Sequence, residues 1–416
     1  MSMTKKPVTG MKDILPREME IRQYVMQMIR ETYATFGFSQ METPCVEHIG
    51  NLSSNQGGEN EKLIFKILKR GEKLKLSEAK EEADLVDSGL RYDLTLPLAR
   101  YYANNASALP VPFKALQMGN VWRADRPQRG RFRQFMQCDI DVLGEPSILA
   151  ETDLILATST LLGKLDFTGF TIRINDRRIL KAMAGYCGFP EKDWDTVFIL
   201  LDKMDKIGTD GVAEELVKEG FARESVEACM TLFREITPDA GGVRFLKEKL
   251  GEFLDAKIAD ELITVMKSVD AIRNADFRIA FDPTLVRGMS YYTGPIFEIS
   301  MDEYGGSVGG GGRYDEMIGK FTGQQTPACG FSIGFERIVM LLLEKDWQVP
   351  GTAPKKAYLL DRRLSDEKMQ EVIRGAMEER AAGRIVDLEI MKKNKRFQKD
   401  QLTAEGYAEI VEVYEN

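Results

Sequence analysis

Residues 131–142 read RFRQFMQCDIDV, and the alternation in that stretch restricts it to a strand with two different faces. One face carries Phe132, Met136, Cys138, Ile140 and Val142, broken only by Gln134, and predicts the core side. The other carries Arg131, Arg133, Phe135, Gln137, Asp139 and Asp141, with guanidiniums at one end and carboxylates at the other. At a rise of about 3.3 Å per residue, Arg133 and Gln137 lie roughly 13 Å apart, a span suited to a small bipolar molecule. Guanidinium forks match phosphate oxygens, and carboxylates match an ammonium. The preceding Val-Trp-Arg predicts the facing strand of a hairpin. Its loop, ADRPQRGR, helps to place five arginines (Arg123, Arg126, Arg129, Arg131, Arg133) within eleven residues of a chain of net charge −8. A basic loop of this kind suits a polyanion; a hairpin with a solvated charged face has the same pattern. Two segments further on weigh toward the ligand reading.

In LVRGMSYYTGPIFEI, Arg287 stands beside Gly288 and ahead of paired tyrosines. Four glycines, Gly309 to Gly312, predict a backbone that approaches a ligand closely, with Arg313 and Tyr314 following at once. Neither a P-loop nor a dinucleotide fingerprint is present. Arg337 falls near the start of an otherwise apolar helix, where a cation is out of step with the helix dipole and better matched to a bound anion.

The rest of the chain sets limits. Its 416 residues allow two or three domains, and 43% hydrophobic with 29% charged residues excludes disorder. No apolar run reaches the length of a membrane span and the start carries no signal core, so a cytoplasmic location is expected, with no membrane partner. Five scattered cysteines suggest neither disulfides nor zinc, and the single histidine, His48, excludes His-Glu-x-x-His chemistry. Apolar periodicity predicts a helix from Arg17 to about Tyr33, closed by Gly37. FGFSQMETPCVEH reads as one strand ending at Pro44, and IFKILKRGEKLKL as a hairpin. A mostly helical insertion of about 177–272 separates the strands FTIRIND and FRIAFDP. Residues 346–355 have the Pro/Gly content of a linker, and 356–416 show βαβαβ signals containing a basic helix, KKNKRFQKD.

RADRPQRGRFRQFMQCDIDVLG, LVRGMSYYTGPIFEI and GFSIGFERIVMLL, in this order, resemble the histidyl-tRNA synthetases of class II. The first is similar to motif 2, the last to motif 3, and the middle one to the histidine-specific signature. FGFSQMETPCVEH resembles motif 1, and the likeness starts at GMKDILP. It implies an α+β fold in which a six-stranded antiparallel sheet flanked by helices forms the catalytic domain, 1–345, followed by a shortened anticodon-binding-like α/β domain that stops after its third strand. It also implies ligation of L-histidine to tRNA(His) through histidyl-adenylate, with ATP and Mg²⁺, in a homodimer joined through motif 1.

The same resemblance distributes roles. Arg287 and Arg123 are the expected catalytic residues; Arg123, Asp125, Arg131, Arg133 and Arg337 face ATP. Asp93, Thr95, Gln137, Asp141, Tyr291, Tyr292 and Tyr314 surround histidine, and Gln128 and Arg129 meet the tRNA acceptor end. No metal-ligating side chain is assigned. The sequence departs from many members in Met289-Ser290, where Leu-Asp is common, and in Asp93, where some have Glu. The alternative is the noncatalytic histidine-sensing regulatory subunit of ATP phosphoribosyltransferase, which the retained Arg123, Arg287 and Arg337 oppose.

Overall fold

The computed structural model describes residues 3–53, 60–286, 291–351 and 353–415. Contacts divide the chain into two compact units: Met1–Asp13 with Arg22–Lys345, and Ile14–Ile21 with Asp346–Asn416. Eleven strands are found in the larger unit among the described residues: β1 Ser39–Met41, β2 Val46–His48, β3 Lys66–Leu68, β4 Val86–Leu90, β5 Phe113–Trp122, β6 Gln134–Leu143, β7 Phe170–Asp176, β8 Phe277–Phe281, β9 Pro295–Met301, β10 Gly306–Arg313 and β11 Ala328–Ile333. Eight of them form one sheet in the order β1-β5-β6-β11-β10-β9-β7-β8.

From β5 to β7 every neighbouring pair in that order is antiparallel, which gives the expected six-stranded core. The sheet is wider than the expectation by two parallel edge strands, β1 on β5 and β8 on β7. The strand expected to end at Pro44 is β1, shorter than expected; after the proline the chain starts β2, which joins a small sheet with β4 and β3. In that small sheet β3 pairs with β4, whereas residues 74–76, expected as the return strand of a hairpin, form no strand and leave Leu76 exposed. The β7–β8 pair is the frame of the insertion. Its strands lie side by side in register Phe170↔Phe277, with six α-helices between them, from Arg177–Tyr186 to Ala256–Ile272.

The helix predicted from Arg17 runs Pro16–Thr35, and Val25, Ile29 and Tyr33, spaced by four, are fully buried along it. Complete burial of such a side chain contributes about 1.5–3 kcal/mol. Two charged pairs fasten helices to the sheet region. Arg22 on the first helix forks onto Glu336 at 2.6 and 2.9 Å, and Glu336 Oε1 also accepts the Met136 amide of β6 at 3.0 Å. Arg313, at the end of β10, forks onto Glu151 at 2.6 and 2.9 Å, and both residues are buried. Loss of one partner from such a pair leaves an uncompensated charge.

In the smaller unit β12 (Lys355–Leu360), β13 (Ile385–Ile390) and β14 (Tyr407–Val413) make a parallel sheet in the order β13-β12-β14. Ala357, Leu359, Met391 and Leu402 form its core. Three of the five basic side chains of KKNKRFQKD stand beside carboxylates: Glu412 of β14 pairs with both Lys395 and Lys399, and Glu389 lies 3.8 Å from Lys392.

Candidate active site

One cleft of about 630 Å³ opens over the centre of the large sheet, where β6, β10 and β11 lie together. The β6 side chains Phe135, Gln137, Asp139 and Asp141 line it, while Cys138, Ile140 and Val142 are buried on the opposite face. Met136 departs from the expected alternation and also borders the cleft. The glycine run is the second departure. Gly309 to Gly312 lie inside β10, between β9 and β11, rather than in a loop. A Cβ on Gly311 would come within 1.9 Å of the Gly330 carbonyl oxygen, so the strands meet at this distance only without one.

At one end of the cleft three carboxylates converge: Asp93, Asp139 and Asp141. Gly330 on β11 faces Asp141, and a Cβ there would lie 2.1 Å from Asp141 Oδ1. Tyr314 donates its hydroxyl to that Oδ1 at 2.5 Å, whereas Asp141 Oδ2 is buried with no partner among the described residues. Gln137 Nε2 donates to Asp139 Oδ2 at 3.3 Å; Gln137 Oε1 and Asp139 Oδ1 are likewise buried and unpartnered. Asp93 Oδ1 accepts the Leu96 amide at 3.0 Å at the start of the Thr95–Asn105 helix, which fixes Thr95 beside it. Tyr291 and Tyr292 meet edge to face at 4.7 Å and wall this end together with Tyr314.

Burial and crowding act on these acids. Desolvation first, then the charge of Asp141, raises the Asp139 carboxyl to about 8 against a hydrogen bond from Ser332. Desolvation raises Asp141 to about 7, with the Tyr314 hydroxyl pulling the other way. Asp93 is raised by burial too, opposed by the Leu96 amide and Arg123. A carboxyl whose folded pKa is raised keeps its proton longer in the folded than in the unfolded chain, so stability falls as pH rises from about 4 toward 8 and is level above that. Asp139→Asn is therefore expected to melt with the wild type near pH 4 and above it at pH 8–9, by about 1–3 kcal/mol. Thermal unfolding at both pH values checks this, and a wild-type advantage at pH 8–9 would contradict it.

The opposite end is basic. Arg123 Nε donates to the Tyr92 carbonyl at 2.8 Å, and its guanidinium lies 5.3 Å from the Phe135 ring centre. Arg337, in the first turn of the Phe335–Glu344 helix, donates to the Ser307 carbonyl at 2.5 Å and stacks on Tyr304 at 5.3 Å. Asp125 and Arg131 line the cleft with them.

Other residues singled out in the sequence stand elsewhere. Arg133 does not line the cleft: it precedes β6, its amide donates to the Gly10 carbonyl and its Nε to the Asp125 carbonyl at 3.1 Å. Gln128 and Arg129 lie outside the cleft on the exposed loop. Gln128 bridges Arg131 by two backbone hydrogen bonds, and one terminal nitrogen of Arg129 donates to both carboxylate oxygens of Glu344 at 2.8 Å while the guanidinium lies over Tyr304. Arg287 and Met289-Ser290 fall outside the described residues. Sequence reasoning assigned no task to Asp139 or Glu336. The period-two pattern already put the first on the cleft face, and nothing local signals the second, whose partner Arg22 is 314 residues away.

Comparison with known proteins places the chain in a family. Residues 10–338 match the family model described as histidyl-tRNA synthetase. The histidine–tRNA ligase of Leifsonia xyli is 43% identical over 413 residues, 96% of this chain and 93% of the relative. A probable histidine–tRNA ligase of Tropheryma whipplei is 40% identical over 96% of this chain and 94% of its own. The crystal structure of histidyl-tRNA synthetase from Nostoc sp. PCC 7120 superimposes with a TM-score of 0.80 at 27% identity, covering 98% of this chain and 90% of that one. An ATP phosphoribosyltransferase regulatory subunit/histidyl-tRNA synthetase from Bacillus halodurans C shares the fold at a TM-score of 0.77 and 21% identity, over 99% of both chains. With most of its length matched by the family model and by such relatives, the chain belongs to the histidyl-tRNA synthetases, class II ligases that join histidine to tRNA.

Proposed function

We propose that the chain first activates L-histidine with ATP to histidyl-adenylate, releasing pyrophosphate, and then transfers the histidyl group to tRNA(His). The observation that carries this is the polarity of the cleft: buried acceptors without partners at one end, guanidiniums at the other. Asp141, Asp93 and Gln137 receive the α-ammonium, Thr95 and the three tyrosines close around the amino acid, and Arg123, Arg131 and Arg337 hold the triphosphate, with Asp125 beside them. The histidine carboxylate oxygen attacks the α-phosphorus, the bond to the β-phosphate oxygen breaks, and pyrophosphate carries away the electron pair. Arg287 is assigned to the charge that develops there. Arg133 shapes the loop through its two carbonyl contacts.

Mg²⁺ fits this site as a companion of ATP. Among the described residues no group of three His, Cys, Asp or Glu side chains, the three cleft carboxylates included, is arranged to hold a metal ion, and guanidiniums and glycine backbone line the same cleft. A cation that keeps most of its waters would be held there by phosphate oxygens. The exposed Gln128 and Arg129 face the acceptor end of tRNA. An edge strand such as β1 leaves backbone groups for a partner, which supports a homodimer through residues 36–48. No helix among the described residues is long and apolar enough to cross a membrane, and a translation enzyme of this kind works in the cytoplasm. The noncatalytic sensing alternative leaves the paired phosphate-facing arginines Arg123 and Arg337 without a task.

Histidine-dependent ATP–pyrophosphate exchange, followed by charging of tRNA(His), tests the reading; exchange that ignores histidine would refute it. Within it, Asp141→Asn is expected to weaken histidine by about 1–3 kcal/mol, the worth of a charge-assisted hydrogen bond, and to leave ATP nearly unchanged. Titration with each ligand separates the two, and equal losses would point to a damaged fold.

A further inference from the structure

Asp139 has no task in the reaction as proposed, yet it lines the cleft and is 4% exposed. Between its neighbours in the sheet, Gln117 on β5 and Ser332 on β11, it reaches along its own strand to Gln137. That contact has a consequence for the amide. In the structure the NH₂ group of Gln137 is the end that meets Asp139, at 3.3 Å, and Asp139 Oδ2 accepts it whether the acid is ionised or carries its proton on Oδ1. The other end, Oε1, is then an acceptor, and it is buried with no partner among the described residues. Without Asp139 the amide turns freely, and half of its orientations offer N–H groups to a cation.

We propose that Asp139 is a positioning residue for histidine: it accepts the Gln137 Nε2 proton and so holds Gln137 Oε1 toward the α-ammonium of the substrate. The inference rests on the proposed activity and deepens it. Asp139 does not touch the reacting atoms. Its raised carboxyl, about 8, means that it is largely protonated near neutral pH, and an asparagine imitates it in shape and in accepting power.

A double-mutant cycle on histidine affinity tests the idea, with ATP affinity and melting temperature measured alongside. Asp139→Ala is expected to raise the histidine Kd about tenfold and leave the ATP Kd within about twofold. Asp139→Asn should restore affinity to within about threefold of wild type. Because Asp139 acts through Gln137, Gln137→Ala and the double variant should bind histidine equally, which is complete non-additivity. Imidazolepropionate, which lacks the ammonium, should bind wild type and Asp139→Ala alike. Additive losses, an Asn variant as weak as Ala, or a parallel loss of ATP would each overturn the positioning role. Wild-type protein whose exchange is independent of histidine would instead overturn the parent activity, and this inference with it.

Discussion

Replacing Arg123 by alanine is expected to lower histidine-dependent ATP–pyrophosphate exchange by about 10²–10³-fold in kcat/KM, the usual effect of removing one fixed charge-stabilising group. The geometry explains why a single side chain carries so much. Arg123 Nε is already held by the Tyr92 carbonyl at 2.8 Å, and the guanidinium lies over Phe135. These two contacts set the plane of the fork before any nucleotide arrives, so little side-chain entropy remains to be lost on binding. Part of the effect should appear in the KM for ATP, because phosphate charge is present in the ground state too. Histidine affinity, governed by the carboxylate end of the cleft, should change little. Arg123→Lys should recover only a small part of the rate, since an ammonium neither stacks on Phe135 nor donates through a planar fork. Exchange within a few-fold of wild type in either variant would remove Arg123 from the phosphate site.

How far the sequence reveals this site depends on how local the determining forces are. The hairpin of β5 and β6 was legible because its period of two is imposed by the strand itself, and the face holding Gln137, Asp139 and Asp141 follows from parity alone. Parity failed at Arg133, which precedes the strand, where a backbone hydrogen bond to Gly10 governs the chain. Gly309–Gly312 read as a loop because glycine usually marks one; here the missing side chains allow β10 to sit against β11, a constraint set by a neighbour. The edge strands β1 and β8 are short, and only the partner strands reveal their pairing. The basic helix of the smaller unit is similar: its charge density is visible locally, but Glu412, which pairs with Lys395 and Lys399, lies on a different element. Periodicity reports what a segment does alone, and the remainder was written in contacts across the fold.

Arg287→Ala should be as costly as Arg123→Ala, but with a different kinetic signature. Around the carboxylates of the cleft stand Gln137, Thr95 and three tyrosines, and the cation whose charge reaches Asp93 and Asp139 is Arg123, which the proposed reading gives to the phosphates. Adenylation requires an anionic carboxylate to approach an anionic α-phosphate, and a site with acids on the amino-acid side opposes that approach unless a positive charge is supplied. In the proposed reading Arg123, Arg131 and Arg337 serve the phosphates. Arg287 belongs to the segment LVRGMSYYTG, four residues before Tyr291 and five before Tyr292, both of which line the cleft. It is assigned this task, in the proposed reading, from the resemblance of that segment to the histidine-specific signature. Charge at the pentacovalent phosphorus is greatest in the transition state, so removal of Arg287 should fall mainly on kcat, by about 10²–10³-fold, with ATP and histidine Kd values within a few-fold. Arg123→Ala moves KM for ATP together with kcat; Arg287→Ala should leave it nearly in place. Single-turnover adenylation at saturating ATP and histidine separates the two. A rate near wild type, or a defect abolished by excess ATP, would mean that Arg287 binds ground-state phosphate or nothing, and that the charge at the reacting carboxylate is supplied by another group.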